Sequence, residues 1–447
     1  MSDEPAAPAT AVRAPAEPAR ETAPTDAAPP APGTPGTVWF ARLVMVAVVL
    51  AALNLRPAIT SLGALLEEVR TGLGMSGTVA GLLTSVPAVT FAVFGIAAPR
   101  LARRHGPAAV VCAGLAAIAA GLLLRPFAGG TPGFLAATAL ALVGIAVSNV
   151  LMPVIVKRYF PDRVGTMTGL YSMALAIGTS VAAAGTVPLT AALGGGWRTG
   201  LAVWGALAVV AVVPWVLVVR GRSPRTPQAP DLSPAAAPDP APAGTAPDRP
   251  AGGIVRSRTA WALAGFFGLQ ATGAYITMGW MPQIFRDAGV PAGTAGVLLA
   301  VTMVMGVPLA FVIPRLAARF RTQGPIVVVL GLSGLTGYTG LLVAPAGGAW
   351  AWALLLGISN CAFPLALTMI GMRSRSAAGV VRLSAFAQST GYLISVPGPL
   401  LVGVLYERSG GWDLPLTLMA GLLVPQIVLG VLAGRDRTIE DETGMRD

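Results

Sequence analysis

The sequence has few charged residues. Lys, Arg, Asp and Glu make up 11% of its 447 residues, whereas 54% are hydrophobic and the mean hydropathy is +0.72. A soluble chain of this length needs far more charge to cover its surface, so the composition indicates an integral membrane protein. The apolar runs are about 18–26 residues long, which matches helices that cross a bilayer and not the shorter strands of a membrane barrel.

Residue types that commonly act in catalysis or bind metals are also scarce. The single histidine, His105, falls in a predicted loop, and the two cysteines, Cys112 and Cys361, fall in separate apolar runs. This pattern offers no disulfide framework and no metal-ligand spacing. The phosphate-binding signature Gly-x-x-x-x-Gly-Lys-Ser/Thr is absent as well. We therefore expect no enzyme, no catalytic residue, no metal, no cofactor and no ATP-driven transport by this chain.

Acidic residues are missing from the middle of every apolar run. All 19 fall in tails, in loops or in a linker. Proton-coupled transporters commonly hold an intramembrane Asp, Glu or His as the titrating group. The carboxylates closest to the first run are Glu67 and Glu68, at its end, where a solvated, non-titrating role is favoured. Protons stay an open candidate for the coupling ion.

Basic residues give the chain a net charge of +11, but their placement argues against nucleic acid as a partner. They concentrate in every second connection between the apolar runs. The opposite connections hold only Arg70, Arg125, Arg198, Arg286 and Arg408. Under the positive-inside rule, this asymmetry predicts a multi-pass protein with both termini in the cytoplasm and the lipid bilayer around its spans.

We count twelve apolar runs, six on each side of a linker. The predicted units are a disordered cytoplasmic N-terminal tail at 1–37, a six-helix bundle at 38–219, a flexible cytoplasmic linker at 220–258, a second six-helix bundle at 259–434 and a polar C-terminal tail at 435–447. The tails and the Pro/Ala-rich linker cannot bury a core, so we expect all three to be disordered.

The two halves echo each other in sequence. Residues 80–83 (AGLL) recur as 295–298 (AGVL), and Ser-Asn followed by proline at 148–153 recurs at 359–364. An internal repeat of six plus six helices is typical of a transporter whose halves rock around a site at the bilayer midplane. The predicted fold is an all-α membrane protein with twelve transmembrane helices in two pseudo-symmetric bundles.

Several short motifs resemble one known family. They are 54–61 (NLRPAITS), 80–84 (AGLLT), 149–153 (NVLMP), 157–161 (KRYFP), 363–367 (FPLAL) and 386–392 (FAQSTGY). Over roughly residues 45 to 435 the chain resembles the major facilitator superfamily, in the branch that contains bacterial cyanate permease and the 2-nitroimidazole transporter. The resemblance implies the major facilitator fold, a bacterial plasma membrane and a small-molecule substrate.

Arg56 is the charged residue deepest inside an apolar run, in the first run at about 38–66. A cation at mid-bilayer costs ~2.5–3.5 kcal/mol by insertion assays and ~10–17 in simulations, so it must face protein or a wet cavity. Pro57 lacks an N–H and frees the Leu53 carbonyl, which predicts a bend beside the charge. With no acidic partner in the runs, Arg56 is predicted to anchor an anionic substrate. A structural role, neutralised by freed carbonyls, stays open.

Other polar residues inside the runs could complete a substrate site with neutral hydrogen bonds. They are Asn54, Asn149, Gln270, Tyr275, Asn360, Gln388 and Tyr392. Aligning the halves lays Asn54 over Gln270 and Arg56 over Thr272, so the arginine has no counterpart, which suits a single anchor. The alternative is helix-to-helix hydrogen bonding, worth ~0.6 kcal/mol each. That interpretation is favoured for the two asparagines that recur beside a proline.

The connection after the second run predicts a gate. Residues 99–106 read PRLARRHG and lack the acidic residue that the superfamily usually carries there. Arg100, Arg103 and Arg104 can still cap helix C-termini and pair with Asp162 as a gate. The missing carboxylate puts any carboxylate-dependent version of that gate in doubt.

Two further predictions concern single runs. Pro397-Gly398-Pro399 predicts an interruption of the eleventh run, and a broken helix at membrane depth can move during a transport cycle. Trp280, near the end of the seventh run, is predicted to join the aromatic belt at the membrane surface.

The favoured function is secondary transport of a small anion or polar nitrogenous compound, cyanate-like or nitro-compound-like, by alternating access with Arg56 as anchor. The alternative is an efflux permease for nitro-heterocycles or other drugs, with Arg56 structural. A receptor or scaffold is disfavoured because the linker carries no recognisable signalling motif. Importing a monoanion against ~100 mV costs ~2.3 kcal/mol, so import needs a compensating cation, an exchanged anion or a steep gradient.

Overall fold

The computed structural model describes residues 35–221 and 251–443, and within them the chain is helical without strands. Residues 1–34, 222–250 and 444–447, which hold most of the predicted N-terminal tail and linker, lie outside the described ranges. The first half of the chain forms α1 Pro35–Asn54, α2 Pro57–Ala64, α3 Leu66–Leu73, α4 Gly77–His105, α5 Pro107–Leu124, α6 Thr131–Tyr159, α7 Val164–Ala192 and α8 Trp197–Arg220.

The second half follows the same order after a short 3₁₀ helix, Ala251–Arg256. Its helices are α9 Arg258–Asp287, α10 Ala292–Val304, α11 Gly306–Arg319, α12 Gly324–Val343, α13 Ala349–Asn360, α14 Ala362–Met372, α15 Ala377–Ser395, α16 Pro397–Ser409, α17 Asp413–Ala433 and α18 Ile439–Thr443.

Eleven helical segments of the described ranges are long and apolar enough to cross a membrane, and α9 is the expected twelfth. It has 30 residues, and most of its side chains are buried in protein. A helix surrounded by other helices meets little lipid, so it can carry Gln270, Thr272 and Tyr275 and fall below the hydropathy of its neighbours. The twelve-helix arrangement agrees with the fold expected from the sequence.

Four of the spans are broken. The predicted interruption of the eleventh run is confirmed, because α15 ends at Ser395 and α16 begins at Pro397. The first span breaks between α1 and α2 beside Pro57. The breaks at Met305 and Cys361 were not anticipated; each precedes a proline by three residues, and proline removes the bond that would continue the helix.

The two halves of the chain are in tight contact at the end of the helices that carries Glu68, here called the Glu68 face. Arg286 pairs with Glu68 at 2.9 Å. The Glu407 carboxylate accepts hydrogen bonds from the backbone and hydroxyl of Thr78 at 2.7 and 2.6 Å, capping the N-terminus of α4. These contacts join α3 to α9 and α4 to α16, so the Glu68 face is closed.

Glycines permit this closure. A Cβ atom on Gly63 would lie 2.0 Å from the Met278 carbonyl oxygen, and one on Gly403 would lie 2.3 Å from the Gly77 carbonyl oxygen. Only a residue without a side chain allows these backbones to approach so closely.

Trp280 belongs to the same interface, so the aromatic-belt prediction is wrong. Its side chain is 1% exposed, and its indole nitrogen donates to the Thr84 hydroxyl at 3.2 Å. Its ring packs against Tyr406 and Trp412. The position near a helix end suggested the membrane surface, but α9 is covered by protein there.

Residues Ile439–Thr443 of the C-terminal tail form the helix α18, whereas the whole tail was predicted to be disordered. Glu442 of α18 accepts hydrogen bonds from Ser257 and Thr259 at the start of α9, over distances of 2.6–3.0 Å. Burial acts to raise the Glu442 pKa, but these hydrogen bonds outweigh it and hold the pKa below its usual value. The tail therefore caps α9 where the chain emerges from the linker.

We predict that Gly63→Ala opens the Glu68 face, because its methyl carbon cannot occupy the space of the Met278 carbonyl. Spin labels at Thr71 and Ser409, in a chain with Cys112 and Cys361 replaced by alanine, should report a longer distance. Gly273→Ala is the matched control, since a Cβ there has no neighbour within 4 Å. An unchanged distance in both variants would contradict the assigned role of Gly63.

We also predict that Glu442→Ala lowers hydrogen-exchange protection of the Thr259 amide at neutral pH. Because the folded pKa is depressed, the contact is complete above the usual glutamate pKa of about 4.3 and is lost as pH falls through the folded value. Wild-type protection should approach that of the variant only in this acidic range. Asp436→Ala, which removes an exposed carboxylate of the same tail, should leave Thr259 unchanged.

Candidate substrate site

The site begins at the break between α1 and α2. Arg56 lies at the N-terminus of α2, and its carbonyl oxygen accepts from the amides of Ile59 and Thr60 at 3.0 and 3.2 Å. Pro57 has no N–H to give to the Leu53 carbonyl. Gly178 of α7 packs directly on that carbonyl, since a Cβ there would lie 2.3 Å from its oxygen. The bend predicted beside Arg56 is confirmed.

Three of the six tyrosines of the chain surround the Arg56 guanidinium. The Tyr275 hydroxyl of α9 lies close enough to the guanidinium to interact with it. Tyr171 of α7 and Tyr392 of α15 lie close enough to interact with it electrostatically. Helices from both halves of the chain therefore converge on this one cation.

Neighbouring side chains hold two of these tyrosines in place. The Tyr171 hydroxyl donates to Asn149 Oδ1 at 2.5 Å. The Tyr392 ring stacks on Phe91 at 5.3 Å between centroids and meets the edge of Phe267 at 5.1 Å. Among the predicted site residues, Tyr275, Tyr392 and, through Tyr171, Asn149 thus assemble around Arg56.

Sequence reasoning missed Tyr171. It is a polar aromatic residue inside an apolar run, the same signal that identified Tyr275 and Tyr392. Its contact with Arg56 depends on α7 packing against α2, which the composition of either run does not reveal.

No carboxylate in the described part of the chain pairs with Arg56. The ion pairs formed within residues 35–221 and 251–443 all lie near the ends of helices, and none includes Arg56. Its polar surroundings are neutral hydroxyls, which leave the positive charge uncompensated. Asn54 is buried beside it, donates to the Leu50 carbonyl at 2.8 Å, and keeps Oδ1 without a hydrogen-bond partner.

Other predicted site residues bond helix to helix or within one helix. Gln270 donates to the carbonyl and side chain of Asn360 at 3.1 and 2.8 Å, and accepts from Gln426 at 3.0 Å. Pro364 explains the first bond, because it frees the Asn360 carbonyl that a continuous helix would use. Gln388 donates to Ser384 of its own helix at 2.7 Å. These contacts match the structural alternative considered for such residues.

A narrow cavity extends from Tyr275 toward the Glu68 face. Its lining includes Ala58, Thr84, Thr138 and Gly279. The volume open to a water-sized sphere is about 10 Å³, enough for about one water molecule. The path between the site and the Glu68 face is therefore constricted.

The predicted gate residues lie at the opposite end of α4. Arg103 and Arg104 are exposed in its last turn, and Asp162 is exposed in the 3₁₀ helix Pro161–Arg163. In the described part of the chain, neither of these two arginines forms an ion pair with Asp162. Arg100 and Arg104 line a cavity of about 400 Å³ beside α4.

Arg125 was predicted to lie in a connecting loop, but its side chain is buried in the protein. Its side chain is 0% exposed, and Nη1 donates to the Ala58 carbonyl at 3.1 Å. The 3₁₀ helix Arg125–Phe127 turns this side chain into the protein at the end of α5. The proximity of Arg125 to α2 is a tertiary feature that the local sequence does not signal.

Comparison with known proteins agrees with this architecture. The family profile described as Major Facilitator Superfamily matches residues 44–396. An uncharacterized transporter of Bacillus subtilis is 35% identical over 88% of this chain and 93% of its own length. The 2-nitroimidazole transporter of Escherichia coli is 32% identical, covering 89% and 97%. The cyanate transport protein of the same organism is 30% identical, covering 85% and 95%.

Solved structures support the fold independently. A bacterial homolog to the human lysosomal transporter Spinster, in an inward-facing and unoccupied conformation, superposes with a TM-score of 0.69 at 16% identity. The match covers 92% of this chain and 99% of that one. The profile match, the relatives at 30% identity or more along most of the chain and the shared fold lead to one conclusion: the chain belongs to the Major Facilitator Superfamily.

Proposed function

We propose that this protein is a secondary transporter for a small anion or polar nitrogenous compound, with Arg56 as the substrate anchor. The observation that carries the proposal is an arginine inside the first span that interacts with three neutral tyrosines and forms no ion pair with a carboxylate of residues 35–221 or 251–443. A guanidinium stays charged in proteins and offers several planar N–H donors. A ligand with negative charge on oxygen or nitrogen complements it.

The tyrosines extend the anchor into a site with directional hydrogen bonds. The Tyr171 hydroxyl donates its hydrogen bond to Asn149, so the lone pairs of its oxygen remain available on the side of Arg56. The Tyr275 hydroxyl lies beside Arg56, where it can donate its proton in a hydrogen bond to a ligand. The unpartnered Oδ1 of Asn54 can accept an N–H from a nitrogenous compound. Asn54, Tyr275 and Tyr392 therefore remain proposed substrate contacts.

The relatives support the same ligand chemistry. Two of them are named for transport of cyanate and of 2-nitroimidazole. Both compounds are small and nitrogen-containing, and both present electron-rich oxygen or nitrogen atoms to a planar donor. A single arginine within reach of several hydroxyls can bind either class, so we extend this substrate class to the present chain.

The asymmetry between the two ends of the protein supports alternating access. The Glu68 face is closed by Glu68–Arg286, Thr78–Glu407 and close glycine contacts. Placing both termini in the cytoplasm of a bacterium makes this the extracellular face, so the described state admits substrate from the cytoplasm. Arg100, Arg103, Arg104 and Asp162 are then the proposed gate on the cytoplasmic side.

Efflux of neutral nitro-heterocycles is the second candidate function. It is favoured by the stacked pair of Phe91 and Tyr392 beside the site, which offers an aromatic face to a planar ring. Under this alternative Arg56 serves to hold the tyrosines in place and does not contact a charged group.

We predict that Arg56→Gln reduces cyanate counterflow in proteoliposomes. Losing a charged hydrogen-bond donor costs about 1.5–3 kcal/mol of binding free energy. The cyanate concentration at half-saturation should therefore rise roughly 10- to 100-fold. Arg42→Gln, which removes an exposed arginine of α1, is the matched control and should retain transport. Full counterflow by a folded Arg56→Gln protein would refute the anchor.

We predict a smaller effect for Tyr275→Phe, which removes one neutral hydroxyl beside Arg56. A hydrogen bond of about 0.5–1.5 kcal/mol corresponds to a rise in half-saturation of roughly 2- to 12-fold. Tyr338→Phe removes another buried hydroxyl, one that lies 3.5 Å from Thr277 of α9. Equal effects of the two substitutions on half-saturation would show that Tyr275 does not contact substrate.

A further inference from the structure

A cavity of about 400 Å³ lies along α4 near the end opposite the Glu68 face. It is lined by Val93, Ala97, Arg100, Leu101 and Arg104, and it is here called the Arg100 groove. Spacings of three and four residues place this lining on one side of the helix. Val93 and Ala97 form the apolar part of the groove, and Arg100 and Arg104, one helical turn apart, form its basic part.

The other side of α4 packs on protein. Phe91 stacks on Tyr392 of α15, and Ala98 and Ala102 are buried. At 3.6 residues per turn, these three side chains of α4 lie roughly half a turn around the helix from the groove. The Arg100 groove therefore points away from the interface between the two halves and away from the Arg56 site.

Apolar side chains continue the side of the groove toward the Glu68 face. Leu82, Val89 and Val93 are 46%, 43% and 55% exposed, and they lie on the same side of α4 as Arg100. Because the halves are in contact at the Glu68 face, the exposed surface of Leu82 does not open on a channel between them. An exposed apolar side chain of a membrane span meets lipid tails. The groove side of α4 is thus the side that faces the bilayer.

The two arginines lie at the depth of lipid headgroups. Arg100 is roughly 34 Å along the helix axis from Gly77, the first residue of α4, at 1.5 Å per residue. The hydrocarbon core of a bilayer is about 30 Å thick. Val93 lies roughly 10 Å before Arg100, at the depth of the acyl chains. The groove therefore crosses the border between acyl chains and headgroups.

We propose that the Arg100 groove binds one acidic phospholipid. The lipid phosphate accepts hydrogen bonds from the guanidinium groups of Arg100 and Arg104, whose planar donors match phosphate geometry. One acyl chain lies along Val93 and Ala97. In the proposed orientation this is the cytoplasmic leaflet, whose acidic lipids attract basic side chains at the membrane surface. The inference does not require Arg56 to anchor a substrate.

A bound lipid has a consequence for the proposed gate. In the part of the chain that the structure describes, no ion pair joins Arg104 to Asp162. A phosphate held by Arg104 competes with Asp162 for the same guanidinium, so an acidic lipid favours the described state, in which the Glu68 face is closed. This consequence rests on the proposed gate, whereas the lipid site itself does not.

Thermal unfolding of delipidated full-length protein in detergent tests the site. Phosphatidylglycerol, bound by the folded state, should raise the unfolding temperature more than phosphatidylcholine with the same acyl chains. Replacing both Arg100→Gln and Arg104→Gln should raise the phosphatidylglycerol concentration at half-effect roughly 30-fold. Arg315→Gln with Arg319→Gln is the matched control. This pair has the same spacing on α11, and Arg315 donates to the Phe311 carbonyl at 3.1 Å.

Ala97→Trp keeps both charges and tests the site even if the double arginine variant fails to fold. The indole fills the apolar part of the groove and displaces the acyl chain. Losing the burial of one methylene alone corresponds to a roughly fourfold rise in the half-effect concentration. Native mass spectrometry should show one phosphatidylglycerol retained by wild type and fewer retained by Ala97→Trp.

Spin labels at Thr71 and Ser409 test the consequence for the gate separately. The short distance should be more populated in phosphatidylglycerol nanodiscs than in phosphatidylcholine nanodiscs, and this difference should disappear in the double arginine variant. A distance distribution independent of lipid would refute the competition with Asp162. It would leave the thermal result to decide whether the lipid binds.

Four results would overturn the lipid site. Phosphatidylglycerol and phosphatidylcholine could stabilise wild type equally, or inorganic phosphate could replace phosphatidylglycerol, which would identify a site for free phosphate. Equal losses in the α4 and α11 double variants would show surface charge alone. Undiminished binding by folded Ala97→Trp protein would show that the groove holds no acyl chain.

Discussion

A half-buried guanidinium inside a transmembrane span, with no ion-pair partner among residues 35–221 and 251–443, is the constraint on which the rest of this structure depends. Arg56 meets that constraint with a broken helix and three tyrosine hydroxyls drawn from α7, α9 and α15. Hydroxyls stabilise a charge by orienting their dipoles but do not cancel it. The site therefore keeps a net attraction for an anion, and the proposed function follows from that residual charge.

Movement around this site is limited by how the two halves meet. At the Glu68 face the contacts are of two kinds: charged or hydrogen-bonded pairs such as Arg286 with Glu68, and glycine-to-backbone packing such as Gly63 against Met278. The pairs sit at helix ends, where water can replace them when they separate. The glycine contacts bury little side chain, so separating them exposes little apolar surface. Both features suit an interface that closes and opens repeatedly.

Much of this architecture can be predicted from sequence, because it depends on patterns within single runs. Run length and the internal repeat predict twelve helices in two halves, and Pro57 and Pro397 predict breaks that the structure confirms. Arg56 stands out because a charge in an apolar run is expensive wherever the helix packs.

The remaining features depend on which helices are neighbours. Trp280 was predicted at the membrane surface and is buried against Thr84, while Arg125 was predicted in a loop and is buried against Ala58. Tyr171 reaches Arg56 only because α7 packs on the bend beside Pro57. The C-terminal tail looked too polar to fold, yet Glu442 caps α9 and Glu440 accepts a hydrogen bond from the Ser374 hydroxyl. Each case depends on a long-range contact that the composition of a single run does not reveal.

The central claim is that Arg56 binds the negative charge of a ligand. The most direct measurement is calorimetric titration of purified wild-type and Arg56→Gln protein with anionic cyanate and with neutral 2-nitroimidazole. The account predicts that the substitution removes most of the affinity for cyanate and changes affinity for the neutral ring much less. Equal affinities of both proteins for cyanate would contradict it and would assign Arg56 a structural role.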